Sequence, residues 1–188
     1  MDESLKGCFL LAGKMLRDDN FYRTVVLMIE HGPEGAMGLV VNRPSTVTVA
    51  NAVADHFELP ETDEVVYIGG PVEAGALFVV HNVEQFNPDD DSVVPGLYVG
   101  SSADVFERVI GRIGDDDPDL KFRVFSGCAG WAPGQLEGEL AVGGWHVLPA
   151  SGDEIINGNP YALWDTLLEQ VHEQNRIVPQ PPADPRWN

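Results

Sequence analysis

Residues 127–140 read Gly-Cys-Ala-Gly-Trp-Ala-Pro-Gly-Gln-Leu-Glu-Gly-Glu-Leu. Glycines, a proline and a tryptophan packed into so short a span specify a tight backbone rather than a slack linker, because each glycine opens conformations closed to other residues and the proline closes others. The stretch follows a strand-like run and leads into a helix-like one, so it predicts a loop of defined shape. Two further segments are built in the same way, Glu30-His31-Gly32-Pro33-Glu34-Gly35-Ala36-Met37-Gly38-Leu39-Val40-Val41-Asn42-Arg43-Pro44 and Gly69-Gly70-Pro71-Val72.

The pattern around these segments predicts strands and helices in separate groups. Cys8 to Gly13 reads as a strand, Asp18 to Tyr22 as a turn, and Arg23 to His31 as a strand buried on both faces. Gly32 to Gly35 reads as a hairpin link, and Ala36 to Asn42 as the returning strand, ended by Pro44. Thr46 or Thr48 caps a helix running to Phe57, and Leu59 to Asp63 breaks it. Val65–Ile68, Ala76–His81 and Val93–Val99 read as strands. Ser101 and Asp104 have capping-box spacing before a helix with Val105, Phe106, Val109, Ile110 and Ile113 on one stripe. Asp115 to Asp119 is a loop and Leu120 to Phe125 a strand. Gln135 to Leu140 is a short helix and Trp145 to Leu148 a strand. Asn159 and Pro160 open a last helix with Leu163, Trp164, Leu167, Leu168 and Val171 on its apolar face. Adjacent strand pairs without regular βαβ alternation predict an α+β fold in a single domain over residues 1–178. The proline-rich tail, 179–188, reads as extended or disordered.

Charge narrows the partners. The 188-residue chain carries a formal net charge of −19, and residues 44–107 hold no Lys or Arg. Nucleic-acid affinity depends on neutralised phosphates, so direct DNA or RNA binding is not expected. The clusters Asp89-Asp90-Asp91 and Asp115-Asp116-Asp117 lack the alternating ligands of a calcium loop and read as solvated loops. No apolar run reaches membrane-span length and no basic leader precedes the apolar Cys8–Ala12 stretch; the expected location is the cytoplasm, with no membrane partner.

The three segments resemble the AlgH/YqgE family of bacterial proteins. The likeness begins with Phe9-Leu10-Leu11-Ala12 and Phe21-Tyr22-Arg23-Thr24-Val25-Val26. It runs through the residue 30–44 segment and Gly69-Gly70-Pro71-Val72, and closes with Ala129-Gly130-Trp131, Gly134-Gln135-Leu136-Glu137, Glu139-Leu140 and Trp145. The resemblance implies a compact α+β fold with a mixed, barrel-like sheet and several flanking helices. It implies no established reaction or ligand, although members are often labelled transcriptional regulators. Relatives usually carry tyrosine where this chain has Cys128, so no role for Cys128 carries over.

Candidate chemistry is sparse. Cys128, between a strand and a helix start, could act as a nucleophile with His31, His81 or His146 as base and Glu139 as orienter; the plainer reading is a small buried apolar residue, as for Cys8. His31, His56, His81, His146 and His172 have no metal-ligand spacing, so no metal is expected. The glycine loop matches neither a P-loop nor a dinucleotide fingerprint, and no cofactor is expected. Amides at the start of the Gln135 helix could hold a carboxylate; alternatively Glu30, Glu137 or Glu139 satisfies them or pairs with Arg43. Glu30, His31, Asn42, Arg43, Gly69, Gly70, Pro71, Gly130, Trp131 and Gln135 are expected to converge on a ligand recess. The chain thus reads as a non-enzymatic regulatory or interaction protein working through a protein or small ligand. The alternative is an enzyme with its site at the glycine-rich segments, using Cys128.

Overall fold

Apolar runs of the kind found at 8–12 and 25–29 must be covered on both sides, and the fold does so by layering. The structure is a computed structural model that describes residues 4–16, 18–60, 62–86, 92–100, 102–115 and 117–175. Its strands are β1 (Cys8–Ala12), β2 (Val25–Gly32), β3 (Gly35–Val40), β4 (Pro44–Thr48), β5 (Val65–Ile68), β6 (Val72–His81), β7 (Tyr98–Gly100), β8 (Phe122–Trp131) and β9 (Trp145–Pro149). Its helices are α1 (Val49–Val53), α2 (Ala103–Gly114), α3 (Gln135–Ala141), α4 (Gly152–Ile156) and α5 (Pro160–Gln174). The strands form one sheet in the order β4-β5-β8-β3-β2-β1-β9, with β6 joined to β8 and β7 to β6. Only β5 and β8 pair in parallel among these neighbours, which makes the sheet mixed. The chain is therefore α+β, as expected. The sheet is open and not closed into a barrel: β4 and β9 end the strand path instead of pairing with each other.

Side chains alternate between faces with a period of two, and the core records it. Phe9, Leu11, Val25, Leu27 and Ile29 enter the central core with Tyr67, Phe78, Val80, Phe125 and the apolar sides of α4 and α5. Leu10, Ala12, Val26 and Met28 point the other way, into a second cluster under α3. Val66, Val79 and Val124 face a third cluster, under α1 and α2. Both faces of β2 are thus covered, and Val25 through Met28 are fully buried.

Strand β8 joins the two halves of the sheet. Its first half lies between β5 and β6, and Ala129–Trp131 pairs with β3. Phe125 faces the central core, yet Cys128 also faces it and Ala129 faces the cluster under α3. Strict alternation would put Cys128 on the opposite side from Phe125. The phase slips at Gly127, whose φ of 71° lies in the left-handed region, and the pairing with β6 shifts register between Val72 and Leu77. The residue 127–131 stretch is therefore strand, not the loop expected, because its glycine serves a bulge inside a ladder.

Other boundaries differ from the sequence reading for identifiable reasons. Pro44 opens β4 instead of ending β3; at the first position of an edge strand its missing N–H costs nothing. Thr48 caps α1 by accepting from the Asn51 N–H, but the helix stops at Val53. Strand β6 starts at Val72 instead of Ala76. The 93–99 run supplies only β7 and an isolated Val94–Leu97 bridge. Ser102 caps α2 by accepting from the Val105 N–H, one residue beyond the expected cap. Asn159 and Pro160 start α5 as expected, with Leu163, Leu167 and Val171 buried. Helix α4 has no counterpart in the sequence reading. Asp89-Asp90-Asp91, Asp116 and the 179–188 tail lie outside the described residues. No helix among the described residues is long and apolar enough to cross a membrane.

Candidate functional site

The residues after β8 build a small hydrogen-bonded platform. Gln135, at the start of α3, accepts from the Ala132 N–H through Oε1 (3.1 Å) and donates through Nε2 to Glu139 Oε1 (3.0 Å). These side chains are four residues apart on one helix face. Glu139 Oε2 accepts from the indole N–H of Trp131 (3.0 Å) and of Trp145 (2.7 Å). The two indoles meet edge-on at 5.9 Å, and Phe21 packs on both, at 6.1 Å from Trp131 and 5.5 Å from Trp145. One carboxylate thereby fixes the end of β8, the start of β9 and, through the rings, the turn at Asp19–Phe21.

His31 braces the same helix. Its Nδ1 accepts from the Leu5 N–H (3.1 Å), which leaves Nε2 to donate to Glu137 Oε1 (3.0 Å). The Glu137 carboxyl is held below its ordinary range, first by its own backbone N–H and then by His31.

Asn42 and Arg43 work at the far end of the β2–β3 hairpin. Asn42 accepts from the Val25 N–H and donates to the Arg23 carbonyl, both at 2.9 Å. Arg23 itself has a φ of 53°, so Asn42 locks a left-handed residue in place. The Arg43 guanidinium donates to the carbonyls of Asn20 and Tyr22. His31 stands six positions along β2 from Val25, a span of roughly 20 Å.

The residues expected to converge are thus divided. His31, Gly130, Trp131 and Gln135 gather around the start of α3, since Ala36 pairs with both His31 and Trp131. Glu30 is exposed on β2 beside them. Asn42 and Arg43 sit at the opposite end of the hairpin. Gly69, Gly70 and Pro71 lie between, where the Gly69 carbonyl accepts from the Val40 N–H and a Cβ on Gly70 would stand 2.2 Å from the Cys128 backbone. The motif around Gly70 permits close approach of two chain segments. The Asp19–Phe21 turn connects the ends: Arg43 holds its carbonyls, and Phe21 packs on the tryptophans.

Beside this turn is a recess of about 780 Å³, lined by Met15, Leu16, Asp18, Asp19, Asn20, Glu139, Val142 and Gly144. A smaller hollow of about 320 Å³ adjoins it across Leu16, Asp18 and Asp19, with Lys14, Arg23 and Trp164 on its wall. Arg23 pairs with Asp165 and lies over the Trp164 ring. Glu139 stands out in the sequence, and its spacing from Gln135 hints at the shared helix face. Met15 and Val142 carry no periodic signal, because they are apolar residues left outside the core.

Cys128 is 4% exposed and faces the central core. Burial pushes its thiol up, and the charge of Glu73 adds to the effect. That is the reverse of what an activated thiolate requires. His81 and His146 lie on other strands, and His81 is fully buried against Phe86 and Tyr98. Among the described residues no group of three or more His, Cys, Asp or Glu could hold a metal.

An open mixed sheet, with a seven-residue helix tied over one face by its own carboxylates, defines an α+β protein whose signature residues hold backbone segments together. The chain belongs to the AlgH-like family, whose model matches residues 9–176. A Myxococcus xanthus UPF0301 protein is 37% identical over 88% of this chain and 90% of its own length. A Streptomyces coelicolor UPF0301 protein is 36% identical over 98% and 96%. The solution structure of AlgH from Pseudomonas aeruginosa superposes with a TM-score of 0.72 at 27% identity, covering 96% of this chain and 98% of that one.

Proposed function

We propose that this chain is a non-enzymatic interaction protein with a regulatory role, acting in the cytoplasm through a protein or small ligand and not through direct contact with DNA. The observation that carries the reading is how the signature side chains are engaged. His31, Asn42, Arg43, Gln135 and Glu139 all hydrogen-bond within the chain. Gln135, through Glu139, and Arg43, through the Asn20 carbonyl, fix walls of the recess between the Asp19–Phe21 turn and α3, and that recess is the proposed ligand site. Trp131 and Gln135 support it from beneath through Glu139; Arg43 supports it through the carbonyls of Asn20 and Tyr22. A buried thiol pushed upward speaks against Cys128 as a nucleophile, and a net charge of −19 speaks against a phosphate backbone.

The test is affinity capture from lysate of a related bacterium at low and at high salt, with a gel shift on genomic DNA fragments alongside. A partner retained at low salt and released at high salt is the expected result. No retained partner, together with a DNA shift at low salt, would overturn the proposal.

A further inference from the structure

We infer that the recess beside α3 seats a basic peptide segment of a partner protein, with a large apolar side chain between Met15 and Val142 and a Lys or Arg against Asp18, Asp19 and Glu139. The inference rests on the interaction reading above and names the partner's chemistry. Met15 is 63% exposed and Val142 is 67% exposed, and both stand on the lining of one hollow with Leu16. Large apolar side chains at that exposure, gathered around a concavity, mark a contact surface more than a random surface residue does.

Charge decides the occupant. The described residues lining this recess include three carboxylates and no Lys or Arg. The donors identified on Glu139 are two indole N–H groups and a carboxamide, all neutral, so its negative charge is oriented without being cancelled. A nucleic acid or anionic lipid brings the wrong sign. A peptide pairing a cation with an apolar side chain satisfies both halves of the lining. At about 780 Å³ the recess has the size of a small-ligand cleft and takes a few side chains of an extended segment rather than a folded surface.

The walls are also set before any partner arrives. Gly13 donates to the Gly144 carbonyl and Gly144 to the Glu139 carbonyl, each at 2.8 Å, while Arg43 holds the Asp19–Phe21 turn. A preformed cleft loses less freedom on binding, which favours a short linear segment as ligand.

The test uses a fluorescein-labelled decapeptide of alternating leucine and arginine, titrated by anisotropy at physiological salt. Peptides with every Arg replaced by Glu, or every Leu by Ser, serve as controls. The Leu-Arg peptide should bind and both controls should not. M15S/V142S, which removes the apolar groups without changing the charge, should weaken binding by about tenfold or more, the loss expected when an apolar side chain forfeits its burial. D18N/D19N should weaken it several-fold, whereas E169Q/E173Q on α5, which removes the same net charge, should leave it unchanged. Failure of the wild type to bind, equal weakening by the two charge-matched variants, or octylamine matching the peptide in affinity overturns the inference. Salt-sensitive capture of a lysate partner that survives M15S/V142S sinks this assignment while the interaction reading stands. Absence of any captured partner together with a DNA shift at low salt sinks both.

Discussion

The two outer faces of the sheet are covered by opposite means. Over β5, β6 and the first half of β8, helix α2 lays Val105, Phe106, Val109 and Ile110 against Val66, Val79 and Val124. This is plain area burial by a twelve-residue amphipathic helix. Over β1, β2 and β3 the cover is α3, only seven residues long, with Leu136 its single buried residue. So short a helix supplies little apolar area, and the aromatic trio with Glu139 at its centre does the anchoring. Non-directional packing buries the stripe of α2 by area alone, and the hollow of about 550 Å³ on that side lies at the helix end, beside Ile113, Leu120 and Phe122. Directional hydrogen bonds hold a small cover at fixed points and leave ground uncovered beside it, and the recess lies there.

The junction between the faces should be the most sensitive point. Gly70→Ala would drive a Cβ to 2.2 Å from the Cys128 backbone, where no side chain can yield. A loss above about 4 kcal/mol is expected, read as a failure to fold or a collapsed urea midpoint. On the apolar face, Ile110→Ala should cost about 2–4 kcal/mol by urea unfolding, through lost burial and the cavity left behind. On the hydrogen-bonded face, Glu139→Ala should cost about 1–3 kcal/mol, because two indole N–H groups lose their acceptor. That variant should also shift the tryptophan emission, which Ile110→Ala should not. If both helices respond alike in emission as well as in stability, the contrast between the faces is lost.

A finer test concerns pH. The Glu137 carboxyl lies below its ordinary value of 4.5 in the folded chain. A depressed carboxyl contributes stability that is complete above the ordinary value and disappears as pH falls through the lowered one. The gap between wild type and Glu137→Gln should therefore be constant near neutrality and close under acid conditions. The effect is small because the pair is exposed on the Glu137 side. Smallest in energy is the thiol test: Cys128 should resist a disulfide reagent at neutral pH until urea exposes it. Rapid modification of the folded protein would reopen the nucleophile reading.

Periodicity makes most of the architecture legible. The doubly buried β2, the stripes of α2 and α5 and the Asn159–Pro160 start all rest on local pattern, and local pattern survives folding. The 127–131 stretch reads as a loop in sequence because glycine signals a special backbone without saying whether a turn or a bulge uses it. The open sheet escapes for a related reason, since closure depends on how strand ends meet and not on any single strand. Among the site residues, the sequence marks His31, Arg43, Trp131 and Gln135 as worth following. It does not show that Arg43 spends its guanidinium on two carbonyls, or that Met15 and Val142 flank a hollow.

From its own letters the chain gives most of its secondary elements, its family and a formal net charge of −19, because each follows from residue type, spacing or summed charge. Tertiary structure alone decided that Gly127 would reverse the phase of β8 and bring Gly70 against Cys128. It alone decided that one glutamate would gather two tryptophans beside an acidic, apolar recess. Contacts between residues remote in sequence depend on which strands become neighbours, and that choice is made by the whole core at once.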